Sequence, residues 1–460
     1  MKLISISRRP KKKEEKKKTQ KREQKKLTLP DAKTVRWIAV AGVSLLLVAA
    51  LIIAIVLIIS ASDNDSRLAA VRDAVLSARE PIELKLASLE AMQYDYDSAL
   101  ARIEPFSSEA ANELRSDIES EKQGLVAADN YAIPHIFFHS LIADTSKAFD
   151  GEYTEAGYNQ VMTTIAEFNE MMRQMYERGY VLISLHDIAE VNPDGTVTEK
   201  QIMLPPEKKP FVLSVDDVCY YEYMDGDGFA SRIVIGEDGK PTCEMKQDDG
   251  SIITGDFDVV PLLDKFVEEH PDFSYRGAKG ILALTGYNGV LGYRTCPSYS
   301  DNPTYNDDVE AAKAVAQNLR EHGWEFASHS WGHRNMGTIS MENLRTDTQR
   351  WEDEVETIIG DTDILIYPFG ADISGVKKYT EANERFVLLK SVGFDYFCNV
   401  DGNRAWLQIG KNYVRQGRRN LDGYRMYYDM INDKRDWLSD LFDVNTVFDK
   451  CRPLPVPPMG

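Results

Sequence analysis

Residues 211–221 read FVLSVDDVCYY. A nearly unbroken apolar run, Phe211 to Val215, leads directly into two adjacent carboxylates, Asp216 and Asp217. Such a run, without polar alternation, belongs to a strand covered on both faces, as in a parallel sheet. Two neighbouring carboxylates at its end are costly to ionise unless a cation or a shared proton compensates. The stretch therefore suggests both a fold and a site.

Outward from it, strand-like and helix-like segments alternate. Apolar runs lie at 133–141, 180–188, 279–287, 324–329, 363–370 and 394–400. Amphipathic segments at helical spacing lie at 158–179, 258–270, 307–323, 341–360 and 382–393. This alternation predicts an α/β fold with a parallel sheet, open or closed into a barrel. In such folds reactive groups collect at the C-terminal ends of the strands, which is where Asp216 and Asp217 fall. A polar, glycine-rich stretch at 225–256, with EDGK and DDGS turns, reads as a hairpin insertion.

The N-terminal part differs. Residues 1–36 hold 15 Lys/Arg against four Asp/Glu, a net of +11, so the rest of the 460-residue chain carries −30 of the total −19. A body this acidic repels nucleic acid and suits neutral or cationic partners. Residues 37–59 carry no charge and are long enough to span a bilayer as a helix. The basic flank places the N-terminus in the cytoplasm and residues 62–460 outside, a single-pass anchor in the cell membrane. Residues 62–130 read as helices of a stalk or small bundle, with Pro81 opening one helix and Ser107-Ser108-Glu109 capping another. The stalk is the expected place for contacts with other envelope proteins. The five cysteines form no CxxC pair, so a structural zinc site is not expected.

Seven histidines are present, and two, His329 and His333, follow the apolar run 324–327 within ASHSWGHRNM. Four residues apart on a helical turn, they would face one metal. Ser330 stands where the zincin pattern needs glutamate, which argues against that protease class. Asp217, His329 and His333 around one divalent cation, with Asp216 free to take a proton from water, would make a hydrolytic centre.

The order of these motifs, strand-Asp-Asp, then His-Ser-x-x-His, then Tyr-Pro-Phe-Gly over residues 131–430, resembles the polysaccharide deacetylase family (NodB homology, carbohydrate esterase family 4). The opening IPHIFFHSL resembles its poly-N-acetylglucosamine branch. The resemblance implies a distorted (β/α) barrel over 131–450. It implies Asp216 as general base, Asp217, His329 and His333 as ligands of zinc (or cobalt, nickel or manganese), and His139 as general acid. It also implies a groove lined by Tyr367, Pro368 and Phe369, and a polysaccharide substrate such as peptidoglycan or an exopolysaccharide. Tyr287, in the loop YNGVLGY, is a further expected groove residue, and Trp331 is expected in the core. Three positions depart from the family. Val218 replaces the usual glycine, Ile366 replaces the usual arginine, and no histidine follows His333. An arginine is still needed to orient the base, and Arg418 or Arg415 is the candidate. Two other readings fit the same residues: a catalytically silent glycan-binding scaffold, and an amidohydrolase of small amides.

Overall fold

Seven strands close on themselves. The computed structural model describes residues 64–432 and 436–459. The strands are β1 (His135–Phe138), β2 (Lys209–Val215), β3 (Ile281–Leu284), β4 (Glu325–Ser328), β5 (Ile364–Ile366), β6 (Tyr396–Val400) and β7 (Val414–Asn420). Each pairs in parallel with the next, and β7 returns to β1, so the chain order is also the order around the barrel. Closure removes both sheet edges. Two accessory strands add outside the ring: Tyr180–Leu182 runs parallel to β2, and Trp406–Ile409 runs antiparallel to β7.

The apolar runs are buried on both faces for a geometric reason. In β2, Leu213 and Val215 share one buried cluster with Phe168, Met171 and Met172 of α4 (Ile165–Glu177) outside the barrel. Val212 instead joins Ile281, Ala283, Ala327, Ile364, Ile366 and Cys398, residues of four other strands, in the lumen. Above that apolar layer the lumen turns polar. His135 lies 3.0 Å from both the Gln416 Oε1 and the Ser214 Oγ, and Ser214 also accepts from Arg418 at 3.1 Å. Burial first, and then the nearby Arg418 charge, push His135 well below the usual imidazole range.

The N-terminal helices do more than space the barrel from something else. They are α1 (Asn64–Met92), α2 (Tyr96–Ile103) and α3 (Glu109–Gln123). Ala87, Tyr94, Ala99, Phe106 and Ile118 share one buried cluster with the lumen residues of the barrel. The Tyr94 hydroxyl donates to the Asp272 carbonyl at 2.8 Å, and its ring stacks on Tyr275. Bundle and barrel belong to one compact unit. Of the stalk or small bundle expected, the structure shows a bundle packed against the barrel. Pro81 lies inside α1 rather than opening a second helix. Ser108 does cap α3, its hydroxyl accepting from the Ala111 N–H at 3.1 Å.

The insertion expected as a hairpin at 225–256 is a three-stranded antiparallel sheet, Arg232–Ile235, Pro241–Lys246 and Ile252–Gly255. All five cysteines are free thiols, four of them buried. Among the described residues no helix is long and apolar enough to cross a membrane. The expected tail at 1–36 and span at 37–59 lie outside the described residues.

Candidate active site

The site is assembled from loops that follow β1, β2, β4 and β5, with one side chain rising from β7. Of the eight described non-glycine residues with positive φ, six lie in loops after β2 to β5: Asp217, Tyr220, Leu291, Ser330, His333 and Phe369. Holding ordinary residues in the left-handed region costs about 1–3 kcal/mol each and persists only where the surroundings enforce it.

Asp216 ends β2 inside the barrel, and Arg418 meets it there. The guanidinium is fully buried and bidentate: Nη1 lies 2.6 Å from Oδ1 and Nη2 2.9 Å from Oδ2. Burial alone would raise the carboxyl. The charges of Arg418 and then His329 outweigh it and hold Asp216 well below the usual carboxylate range. One half of the paired-carboxylate problem is thus solved by an arginine two hundred residues downstream. Position 366 does not supply it. Ile366 is buried, and its backbone carbonyl accepts from the His329 Nδ1 at 2.8 Å. Arg415 is buried too but serves elsewhere, 2.8 Å from the Asp372 Oδ2.

Asp217 takes the left-handed backbone and turns the other way. Its Oδ2 lies 3.9 Å from the His333 Nε2, and ligand atoms of Asp217, His329 and His333 all lie within 4.8 Å of one another. That set suits a divalent cation of the zinc type, two imidazoles and a carboxylate with room for exchangeable ligands. The flanking bonds agree. A backbone carbonyl only accepts, so His329 carries its hydrogen on Nδ1 and turns a bare Nε2 into the site. Burial pushes His329 down, toward the neutral form that binds metal. The Tyr221 hydroxyl donates to the Asp217 Oδ1 at 2.7 Å.

The two histidines do not sit on a helical turn as expected. Residues 329–334 form a tight irregular loop with Ser330 at φ 63° and His333 at φ 49°. The buried Asp347, on the helix Met341–Trp351, holds this loop. It accepts from the Ser330 hydroxyl at 2.7 Å, the Trp331 N–H at 2.9 Å and the Gly332 N–H at 2.9 Å. Ser330 in turn accepts from the Arg334 N–H at 2.9 Å. Backbone donors, not helical geometry, make the imidazoles converge. Asp347 was not marked as a site residue by its local pattern.

His139 follows β1 at the same end and is half-buried. Its Nδ1 lies 3.2 Å from the Val161 carbonyl, which leaves Nε2 free. The Tyr-Pro-Phe-Gly segment divides. Phe369 is 67% exposed and lies edge-on to His333, with ring centroids 4.4 Å apart. Tyr367 and Pro368 are buried. The Tyr367 hydroxyl meets that of Tyr379 at 2.8 Å, and Tyr379 donates to Asp372 at 2.6 Å. Tyr367 and Pro368 are therefore wall, not groove. Tyr287 is half-buried and stacks on Tyr221, centroids 5.2 Å apart. The Trp331 indole donates to the Glu354 Oε2 at 2.7 Å, and its carbonyl accepts from the Gly286 and Tyr287 N–H groups.

Comparison with known proteins bears on this arrangement. A family model described as polysaccharide deacetylase matches residues 302–385, a span that contains His329 and His333. No curated protein matches the chain. Among solved structures it is similar to the Streptococcus pyogenes deacetylase PplD in complex with acetate, at 11% identity and a TM-score of 0.36, covering 65% of this chain and 94% of that one. It is also similar to a de-N-acetylase from Aggregatibacter actinomycetemcomitans (14%, TM-score 0.35, 63% and 95%) and to IcaB from Ammonifex degensii (12%, TM-score 0.34, 63% and 91%). The resemblance to polysaccharide deacetylases, read above from three motifs, is met by the family comparison.

Proposed function

We propose that this chain is a membrane-anchored, extracellular, metal-dependent deacetylase that removes N-acetyl groups from an amino-sugar polysaccharide. The observation that carries the reading is the meeting of Asp217, His329 and His333 within 4.8 Å, beside an Asp216 held ionised by Arg418. The anchor rests on the uncharged stretch 37–59 behind a tail of net +11.

Asp217, His329 and His333 would hold the metal, which supplies Lewis acidity toward the acetyl carbonyl and toward water. Arg418 fixes Asp216 in one orientation, so its carboxylate is aimed at the water it deprotonates. A carbon–oxygen bond forms to the carbonyl carbon as Asp216 gains the proton. His139, free at Nε2 and anchored through Nδ1, delivers a proton to the amide nitrogen. The carbon–nitrogen bond then breaks, releasing acetate and the sugar amine. Burial of Asp216, His329 and Arg418 keeps bulk water from screening these charges.

The test is acetate release from N-acetylglucosamine oligomers by the full-length chain supplied with zinc, beside Asp216→Asn. The expected result is acetate from the wild type and none from the variant. No acetate from either, or equal amounts from both, would remove the deacetylase reading.

A further inference from the structure

Beside the metal-ligand cluster a ladder of three tyrosine rings leads outward. Tyr221 is the middle ring. It stacks on Tyr287 at 5.2 Å and 16°, and on Tyr223 at 5.5 Å and 12°. Its hydroxyl reaches the Asp217 Oδ1 at 2.7 Å and the Thr285 Oγ1 at 3.0 Å, so the ladder is tied to the site itself. Tyr223 is the outer ring and is 57% exposed. Its hydroxyl bonds to no described residue, and no described ring covers its outer face.

The segment carrying these rings is rigidly held. Arg294 donates from Nη2 to the Tyr220 carbonyl at 2.8 Å and from Nη1 to the Asn288 carbonyl at 3.1 Å. Tyr299 donates to the Glu222 Oε2 at 2.6 Å. Met224, the residue after the outer ring, is buried in the core. A large aromatic ring left in water on a braced platform, one ring away from the metal-ligand cluster, marks a place where a flat apolar face is received. The acidic balance of the body, and Glu222 next to Tyr223, disfavour an anionic occupant.

We infer that Tyr223, backed by Tyr221, is a subsite that stacks one pyranose ring of the polymer, a neutral or amino-sugar residue next to the one being deacetylated. This rests on the proposed deacetylase reading and deepens it. The protein would act on chains rather than on single sugars, because the platform is useful only to a substrate with a second ring. It accounts for Val218 as well. A buried valine after Asp217 anchors the turn that starts this segment, where a glycine would give it no hold on the core.

The test uses the full-length zinc-loaded chain and N-acetylglucosamine oligomers of one and five sugars. Tyr223→Ala should raise KM for the pentamer about five- to tenfold with kcat nearly unchanged, and leave the monosaccharide unaffected. Tyr223→Phe should match the wild type, because the ring face and not the hydroxyl is used. Pentamer binding to the inactive Asp216→Asn chain, followed by calorimetry, should weaken by the same factor when Tyr223→Ala is added. Equal KM and equal binding with and without the Tyr223 ring would overturn the subsite. Should no acetate be released from any sugar while pentamer binding still depends on Tyr223, the subsite stands and the deacetylase reading fails.

Discussion

The two ends of the barrel are built to opposite rules. At the N-terminal end the lumen is plugged by alanine, isoleucine and valine side chains in one cluster with the helical bundle. His186 stands between two carboxylates, 2.5 Å from the Glu325 Oε1 and 3.0 Å from the Asp363 Oδ1, joining the starts of β4 and β5. At the C-terminal end, six residues take left-handed backbone and two imidazoles turn toward carboxylates they do not bond to. The first end pairs its histidine with carboxylates of the same chain. The second gathers two imidazoles and a carboxylate 3.9–4.8 Å apart with no bond among them, which is the pattern of a place meant to receive something from outside.

The largest effect expected from breaking this contrast is at Arg418, where the polar lumen meets the site. Arg418→Met leaves Asp216 buried without its partner and should cost about 3–5 kcal/mol of stability, together with nearly all activity. Chemical denaturation and acetate release check it; a stable, active variant would mean that Arg418 neither holds nor orients the base. Next is Asp347→Ala, which unties the histidine loop. It should lower metal affinity about 10–100-fold and stability by about 1–3 kcal/mol, read by zinc competition with a chelator and by denaturation. Tyr221→Phe removes only the hydroxyl on Asp217, and about a tenfold loss of zinc affinity is expected, with the fold unchanged.

The smallest effect belongs to the other end. Burial alone would lower His186, but Asp363 and Glu325 outweigh it and push it up to about 10. A folded value above the unfolded one means the imidazolium stabilises the fold fully below about 6.5 and loses that contribution as pH rises through about 10. Thermal unfolding of His186→Gln should therefore lie below the wild type at pH 6, and the gap should close by pH 10.5. Acetate release at pH 7 should be unchanged, since His186 is at the far end from the site. A gap that persists at high pH would show that packing, not charge, is the role of His186.

How far the sequence disclosed these features depended on distance along the chain. The strand leading to Asp216 and Asp217 was legible because seven consecutive residues carry both the apolar run and the charges. The alternation of strands and helices announced a parallel sheet, open or closed; the barrel implied by the family resemblance is seen in the pairing of β7 with β1. His329 and His333 were legible as a pair, yet their spacing suggested a helix. The positive φ values that actually turn them inward depend on Asp347, which no local pattern connects to them. Tyr367 was misplaced into the groove for a related reason. An aromatic residue beside a motif looks like a binding surface until its hydroxyl is found bonded to Tyr379 inside the wall. Arg418 and Arg415 were alike in sequence, and only the strand register separates the one that meets Asp216 from the one that meets Asp372.

The account rests on three side chains from two distant segments sharing one cation. Zinc content of the full-length chain after exhaustive dialysis tests this most directly. One zinc per chain is expected in the wild type and in Asp216→Asn, and none in a chain carrying Asp217→Asn with His329→Ala. Zinc retained by that double variant, or a wild type that holds none, would contradict it.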